Sequence, residues 1–363
     1  MILSVLWFLL AALFFCCAVQ MPPGISRSAL VTLHVISVVN SLNGPNSSYS
    51  DIWVTFMIRA AMHSCSVLFI ETRVVNISSG TFEDRLRSIF WACCNVRELP
   101  FASSDAIMRK RGGTFRVRAY FAVSKFARVL ALWATNRSFD SSISWFLRGL
   151  EVNREDFAPA KQGLWPLLTY RDISLRTIVS FHWIWSTYYF LTSAHDVLAI
   201  LFVSLLGWDL PSEWPPLFGN VAEAYSLRRF WGVFWQRLHI HTFMGYTPPF
   251  LRKVEVKQKR DIGWYYAVRN AAAALWIFLL SACCHVLVDL IVLRRNTIRP
   301  ELVFFLSNYV VCLVETVVKS SFKERFRRYT RSCIWLRLVG YAWVSIFFFS
   351  TVPAWKYPLL YKP

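Results

Sequence analysis

The chain alternates long apolar runs with short polar, mostly basic, connections. Residues 2–19 form the first run, and Met21-Pro22-Pro23-Gly24 ends it, because consecutive prolines and a glycine cannot continue a helix. Residues 28–42 form a second, weaker run, followed by the turn residues Asn43-Gly44-Pro45-Asn46. Residues 51–70 form a third, with Arg59 and His63 inside it, placed to snorkel or to face a bundle. Residues 73–113 read as a polar loop carrying Arg109, Lys110 and Arg111. In residues 116–133, Arg118, Lys125 and Arg128 alternate with Phe121, Val123, Phe126 and Leu130 at helical spacing, a membrane-surface pattern.

Residues 136–172 read as a polar connection. Residues 173–206 are too long for one untilted crossing of about 20 residues; Ser193-Ala194-His195-Asp196 divides them, so one tilted helix or two short ones are expected. A Trp- and Pro-rich break follows at 208–216. Residues 223–251 hold too many polar groups for an ordinary span and too many aromatics for a free loop. They predict an interfacial or partly inserted helix, with Gly232 allowing close packing. After a basic loop at 252–260 come apolar runs at 264–293, 302–318 and 335–352, the last ended by Pro353.

The pattern predicts an all-α polytopic membrane protein. Seven to nine transmembrane helices, with interfacial or re-entrant helices, would surround a buried histidine. One membrane domain over 1–363 is expected: N-terminal spans at 1–72, a basic and amphipathic region at 73–172, and a catalytic core at 173–363. Composition agrees, with 56% hydrophobic and only 17% charged residues, against roughly 25% charged in soluble domains. The formal charge of +19 sits in loops between apolar runs. That suits cytoplasmic loops and anionic headgroups, not a nucleic-acid partner. The basic loop at 319–331, with Lys323, Arg325, Arg327, Arg328 and Arg331, is expected in the cytoplasm. Nine cysteines without a CxxC spacing suggest neither a metal site nor a disulfide framework. The first run lacks a basic n-region and a clear cleavage site, so it reads as a retained helix.

Candidate chemistry centres on His285, inside the apolar run 264–293, with Asp289 one helical turn away. A titratable pair in lipid faces protein or a watery cavity. A neutral imidazole there can accept the proton of an alcohol attacking an acyl carbonyl, and a carboxylate one turn on could orient the ring. A histidine bonded to a neighbouring helix is the plainer alternative. A second constellation is Ser226–Gln236 with Arg237, His239 and His241. On a helix Trp231 and Trp235 share a face, and Gln236 neighbours His239. It reads either as an interfacial aromatic belt or as a rim holding an acyl carrier's phosphates with Arg228, Arg229 and Arg237 and stacking on aromatics. His195-Asp196 either lines the same cavity or marks a helix break. Asn46, Asn76 and Asn136 match the glycosylation acceptor pattern, but two of these tripeptides lead into basic loops.

Two of these stretches carry a resemblance. Ser226 to Gln236, SLRRFWGVFWQ, resembles the S-L-R-x-F-W-G-x-x-W-H-Q element of the wax-synthase-like branch of the membrane-bound O-acyltransferases, in particular fungal members acting on terpenoids and meroterpenoids. Phe278 to His285, FLLSACCH, resembles that family's F-x-x-S-G-x-x-H element, whose histidine is catalytic. Trp91 to Glu98 is similar to a third element, N-x-R-G-I-G, of which Asn95 and Arg97 remain. Two departures stand out. Gln236 replaces the family histidine and cannot titrate, and Ala282 replaces a glycine.

The resemblance implies acyl transfer from acyl-CoA, most often acetyl-CoA, to a hydroxyl of a lipophilic terpenoid-like alcohol, with His285 as base. Asp289, Gln236, Asn95 and Arg97 would support it, while Arg228, Arg229, Trp231, Trp235 and Arg237 would bind the acyl-CoA. No metal or permanent cofactor is implied. The implied partners are the bilayer, acyl-CoA and the alcohol, and the implied location is the endoplasmic reticulum. A long-chain wax or sterol ester synthase and a small transporter are the alternatives. No repeated halves of the kind seen in transporters are visible.

Overall fold

The computed structural model describes residues 2–42, 51–75, 82–95, 115–164, 168–251, 263–321 and 334–361. In chain order the helices are α1 (Ile2–Ala18), α2 (Ile25–Leu42), α3 (Asp51–Cys65), α4 (Phe82–Cys94), α5 (Phe115–Gly149), α6 (Tyr170–Ala199), the short turn α7 (Leu227–Arg229), α8 (Ile240–Gly245), α9 (Gly263–Leu293), α10 (Ile298–Ser321) and α11 (Ile334–Leu360). No strand occurs among the described residues, so the expected all-α polytopic membrane protein is what the chain forms. Among the described residues, six helices are long and apolar enough to cross a bilayer: Ile25–Leu42, Ile52–Ile70, Tyr170–Leu205, Tyr265–Leu293, Ile298–Ser321 and Ile334–Leu360. The shorter apolar helix at the N-terminus makes a seventh apolar element. Asn43, Asn46 and Asn76, Arg97, the Arg109–Arg111 cluster, the loop at 252–260 and the basic residues from Lys323 to Arg331 lie outside the described residues.

The described chain forms two compact units: Met1–Leu99 with Leu238–Phe305, and Pro100–Arg237 with Leu306–Pro363. In the first, α1 and α2 form a hairpin across the Pro-Pro-Gly turn. Its core joins Phe15, Ala18, Val31, Val67 and Ala92. Buried His34 ties three helices together. Its ring nitrogens contact the Ala11 carbonyl at 2.8 Å and the Ser64 hydroxyl at 2.6 Å. Buried Arg27 donates to the carbonyls of Met21, Leu68 and Arg73 at 2.9–3.0 Å, satisfying chain ends that no helix could. α3 ends in a π-helical turn, Ser66–Ile70. The polar loop expected at 73–113 contains α4, held against α1 by a 3.8 Å contact between Cys16 and Cys93 sulfurs.

In the second unit residues 173–206 take the first of the two expected forms, one long helix without a break. α6 runs through Ser193-Ala194-His195-Asp196 into a π turn, Ile200–Leu205. The fully buried Asp196 carboxylate accepts from Lys125 Nζ at 2.9 Å and from the Arg128 guanidinium, both on α5. Neutralised in this way, the carboxylate stays within the helix. The expected surface pattern at 116–133 is therefore one face of α5 turned to a partner helix. The polar connection expected from 136 is also corrected: α5 continues to Gly149, with Trp185 Nε1 donating to Asn136 Oδ1 at 3.0 Å. α11 passes through Pro353 instead of stopping there. Proline at 353 removes the usual donor to the carbonyl one turn back. Ser180 Oγ donates to the adjacent Phe348 carbonyl at 3.0 Å, so this stretch keeps a partner from α6.

Candidate functional site

Residues 223–251 form a sequence of short turns, not the single interfacial helix expected. The physical reason lies in its first turn. Ser226 caps α7, accepting from Arg229 N at 3.3 Å. The Glu315 carboxylate on α10 accepts from Leu227 N and Arg228 N at 3.0 and 2.8 Å, and from Trp343 Nε1 at 3.0 Å. Phe230–Phe234 then widen into a π turn, closed by Trp235 N donating to the Phe230 carbonyl at 2.7 Å. The wider turn aligns residues five apart, so the Phe230 and Trp235 rings stack at 5.2 Å. Trp235 is extended and the helix ends. Gln236 and His239 are consequently not helical neighbours.

Trp231 and Trp235 do come together, their rings 5.6 Å apart, with Trp183 of α6 against both. Trp231 Nε1 donates to Asn308 Oδ1 at 2.8 Å. Gly232 is exposed with open space around it, so it is not the close-packing position expected. That part falls to Gly219, where a Cβ would meet the Val233 carbonyl, and to Gly340, where it would meet the Tyr225 carbonyl. Among the expected phosphate ligands, Arg229 pairs with the Glu223 carboxylate and lies 4.7 Å over the Tyr225 ring. Arg228 is half-buried and Arg237 exposed. His195 leans on Trp214 at 5.1 Å and on Asp196 at 3.5 Å, inside the α5–α6 ion cluster.

The first unit holds His285, half-buried on α9 and 5.2 Å from the Phe305 ring, with half-buried Asp289 on the next turn of the unbroken helix. Its neighbour Cys284 places its sulfur 3.5 Å from Met62 Sδ on α3. Tyr246, just past α8, donates its hydroxyl to the Met62 carbonyl at 2.8 Å. α3, α8 and α9 therefore meet at Met62. Arg59 on α3 lies beside Cys284. His239, at the start of α8, lies near both Arg59 and His285. Burial, with these two neighbours, holds His239 well below the usual histidine range, so its ring is neutral. Its Nε2 is buried without a hydrogen-bond partner among the described residues.

Asn95 follows the last turn of α4, half-buried, with its N–H bonded to the Trp91 carbonyl at 3.0 Å. Arg97 lies outside the described residues. Sequence reasoning gave Arg59 no chemical role and treated His239 only as a neighbour of Gln236. The available signal was a cation and a histidine in two apolar segments, 180 positions apart.

The helices and the buried titratable groups define an integral membrane protein with a polar interior. Comparison with known proteins narrows this. Residues 214–307 match the family described as "Membrane bound O-acyl transferase family". The match encloses Ser226–Gln236, His239, His285 and Asp289, and the resemblance carried by the two motifs holds. Among curated relatives, the acetyltransferase spyB of Aspergillus fumigatus is 28% identical over 186 residues, 47% of this chain and 30% of that protein. Acetyltransferase TRI7 of Fusarium sporotrichioides is 30% identical over 170 residues, 45% and 37% of the two chains. Acetyltransferase ataH of Aspergillus terreus is 29% identical over 175 residues, 47% and 54%. The chain thus spans about a third to a half of the length of the curated relatives it matches. No solved structure matches it.

Proposed function

We propose that this protein is a membrane-bound O-acyltransferase that moves an acetyl group from acetyl-CoA to a hydroxyl of a lipophilic acceptor, of terpenoid or meroterpenoid type, in fungal secondary metabolism. The observation that carries the proposal is His285 with Asp289 one turn away, a titratable pair on an apolar helix within the segment that matches the acyltransferase family. The acceptor is apolar enough to enter from lipid, and the polyanionic donor suits a basic cytoplasmic face.

In this reading the neutral His285 imidazole takes the acceptor's O–H proton as the oxygen attacks the thioester carbonyl. The C–O bond forms and the C–S bond breaks. The thiolate leaves and takes the proton back from the imidazolium, so His285 ends neutral. Asp289 orients the ring. Donor-binding roles belong to Arg228 and Arg237 by charge, to Trp231 and Trp235 by ring contact, and to Arg229 once it exchanges Glu223 for a phosphate. Asn95, Arg97 and Gln236 supply hydrogen bonds to the reacting groups. The single-domain organisation over 1–363 and residence in the endoplasmic reticulum belong to the same proposal.

The test is acyl transfer in microsomes from a heterologous host, with wild type and His285→Ala side by side and acetyl-CoA and palmitoyl-CoA as donors over a panel of terpenoid alcohols. Acetylated product from wild type alone supports the proposal. Product only from palmitoyl-CoA moves the assignment to a long-chain ester synthase. Undiminished product from His285→Ala removes the mechanism.

A further inference from the structure

Two polar groups of the first unit have no role in the mechanism above: His239, which lies near His285, and Arg59, which lies beside Cys284 and near His239. Arg59 is a cation within the membrane-crossing segment Ile52–Ile70. Cations at that depth face a protein interior or a polar cavity and are normally paired. Arg59 forms no ion pair among the described residues, and the groups near it are Cys284 and His239. His239 has an orphaned, buried Nε2. The Tyr246 hydroxyl is taken by the Met62 carbonyl, the Cys284 thiol faces Met62 Sδ, and the ring's own near neighbour is Phe243 at 5.8 Å. A buried N–H left unmade destabilises a fold. Such groups persist where a ligand completes them.

We propose that His239 and Arg59 stabilise the acyl oxygen of the donor opposite His285, with His239 Nε2–H as hydrogen-bond donor and the Arg59 guanidinium as the nearby positive charge. This rests on the acyltransfer reading. When the acceptor oxygen attacks, the C=O pair moves onto the carbonyl oxygen, and a preorganised donor and cation are worth most at that moment. His239 is suited to the task because it is neutral. It offers one N–H without adding a second charge to the site, and it does not compete with His285 for the acceptor's proton. Burial holds it in that state, and the nearby Arg59 charge adds to the effect. Collapse of the tetrahedral intermediate returns the pair to the carbonyl and expels the thiolate, so neither residue changes protonation over the cycle.

The variants are His239→Phe, His239→Gln and Arg59→Met, purified in detergent beside wild type and His285→Ala. Three quantities are measured: kcat and KM for acetyl-CoA, the melting temperature, and the melting shift caused by a non-reactive acetyl-CoA analogue in which the thioester sulfur is a methylene. The analogue keeps the carbonyl and cannot transfer the acetyl group. His239→Phe is expected to lower kcat by about 10²–10³-fold. Its melting temperature should equal or exceed that of wild type, because an unpartnered buried polar group has gone. The analogue's melting shift should shrink. The Gln variant, whose amide can donate, should recover a substantial part of kcat, and Arg59→Met should lose kcat as His239→Phe does.

Wild-type kcat in His239→Phe, an undiminished analogue shift, or a lowered melting temperature would overturn the proposal, the last by revealing a structural partner for Nε2. Failure of the parent reading looks different. Full turnover in His285→Ala, or no transfer by wild type with any alcohol, removes the chemistry, while the analogue shift still reports whether His239 and Arg59 hold a carbonyl.

Discussion

Trp231 donates its indole N–H to the side-chain oxygen of Asn308 at 2.8 Å, and Asn308 has no exposed surface. The bond fastens the π turn of the aromatic motif to α10 within the second unit. Replacing Asn308 with Leu leaves a partly buried N–H without its acceptor and should cost about 1–3 kcal/mol, read as a lower melting temperature. Trp231→Phe removes the donor, so adding it to Asn308→Leu should cost less than the sum of the two. Strict additivity would mean the bond contributes nothing.

Glu315 is the reason the motif starts where it does. Its two oxygens accept two consecutive backbone N–H groups of α7 and one indole N–H from Trp343. Gln at 315 keeps the size but exchanges one acceptor oxygen for an NH2 group, which faces donors. Glu315→Gln is expected to destabilise the protein by about 1–3 kcal/mol, because at least one of these N–H groups loses its partner. If donor binding depends on the geometry of this turn, KM for acetyl-CoA rises while kcat holds. An unchanged melting temperature would show that the carboxylate is not the anchor.

Hydropathy made most of the spans legible, because each apolar stretch in lipid must close its own backbone hydrogen bonds as a helix. What it could not show is where polar residues find partners. Pro353 and Asp196 both read as interruptions, and each lies inside a helix; Asp196 does so because residues far away in the chain, Lys125 and Arg128, surround its carboxylate. The aromatic motif was legible as a motif but not as a shape, since the π turn depends on Glu315 and Trp183 from other helices. His285 and Asp289 stood out because a titratable pair is rare in an apolar run. Arg59 and His239 did not, since only folding brings α3 and α8 to the same side of α9.

The Asp196 cluster gives a sharper test of that partnering. Asp196→Asn keeps the shape and leaves Lys125 and Arg128 facing each other without an anion. Lys125 keeps only 11% of its side chain exposed and Arg128 keeps 38%, so solvent relieves the second more than the first. Removing one member of a buried ion pair costs about 3–5 kcal/mol, and the exposure of Arg128 puts this case at the lower end. The expected result is poor yield and a strongly reduced melting temperature. Combining Asp196→Leu with Lys125→Met and Arg128→Met removes all three charges and should restore most of the loss. A triple variant as unstable as Asp196→Asn would mean the charges are needed for more than each other.

Asp156 provides the pH dependence. It lies outside the membrane-crossing helices, and the Arg171 guanidinium, at 2.6 Å, holds its carboxyl below the usual carboxylate range. Burial opposes this, while the Asn153 N–H and the charges of Arg171 and Lys161 add to it. The folded value is therefore lower than the unfolded value of about 3.9. A depressed carboxylate binds its proton more readily when unfolded. Its contribution to stability is thus complete above about pH 4 and is lost as the pH falls through the folded value. Asp156→Asn removes that contribution. It should melt below wild type at pH 7, and the gap between the two should narrow as the pH is lowered beneath 4. Melting curves of both proteins in detergent from pH 3 to 7 measure this directly. A gap that stays constant across the range would mean Asp156 acts through its capping hydrogen bond to Asn153 and not through its charge.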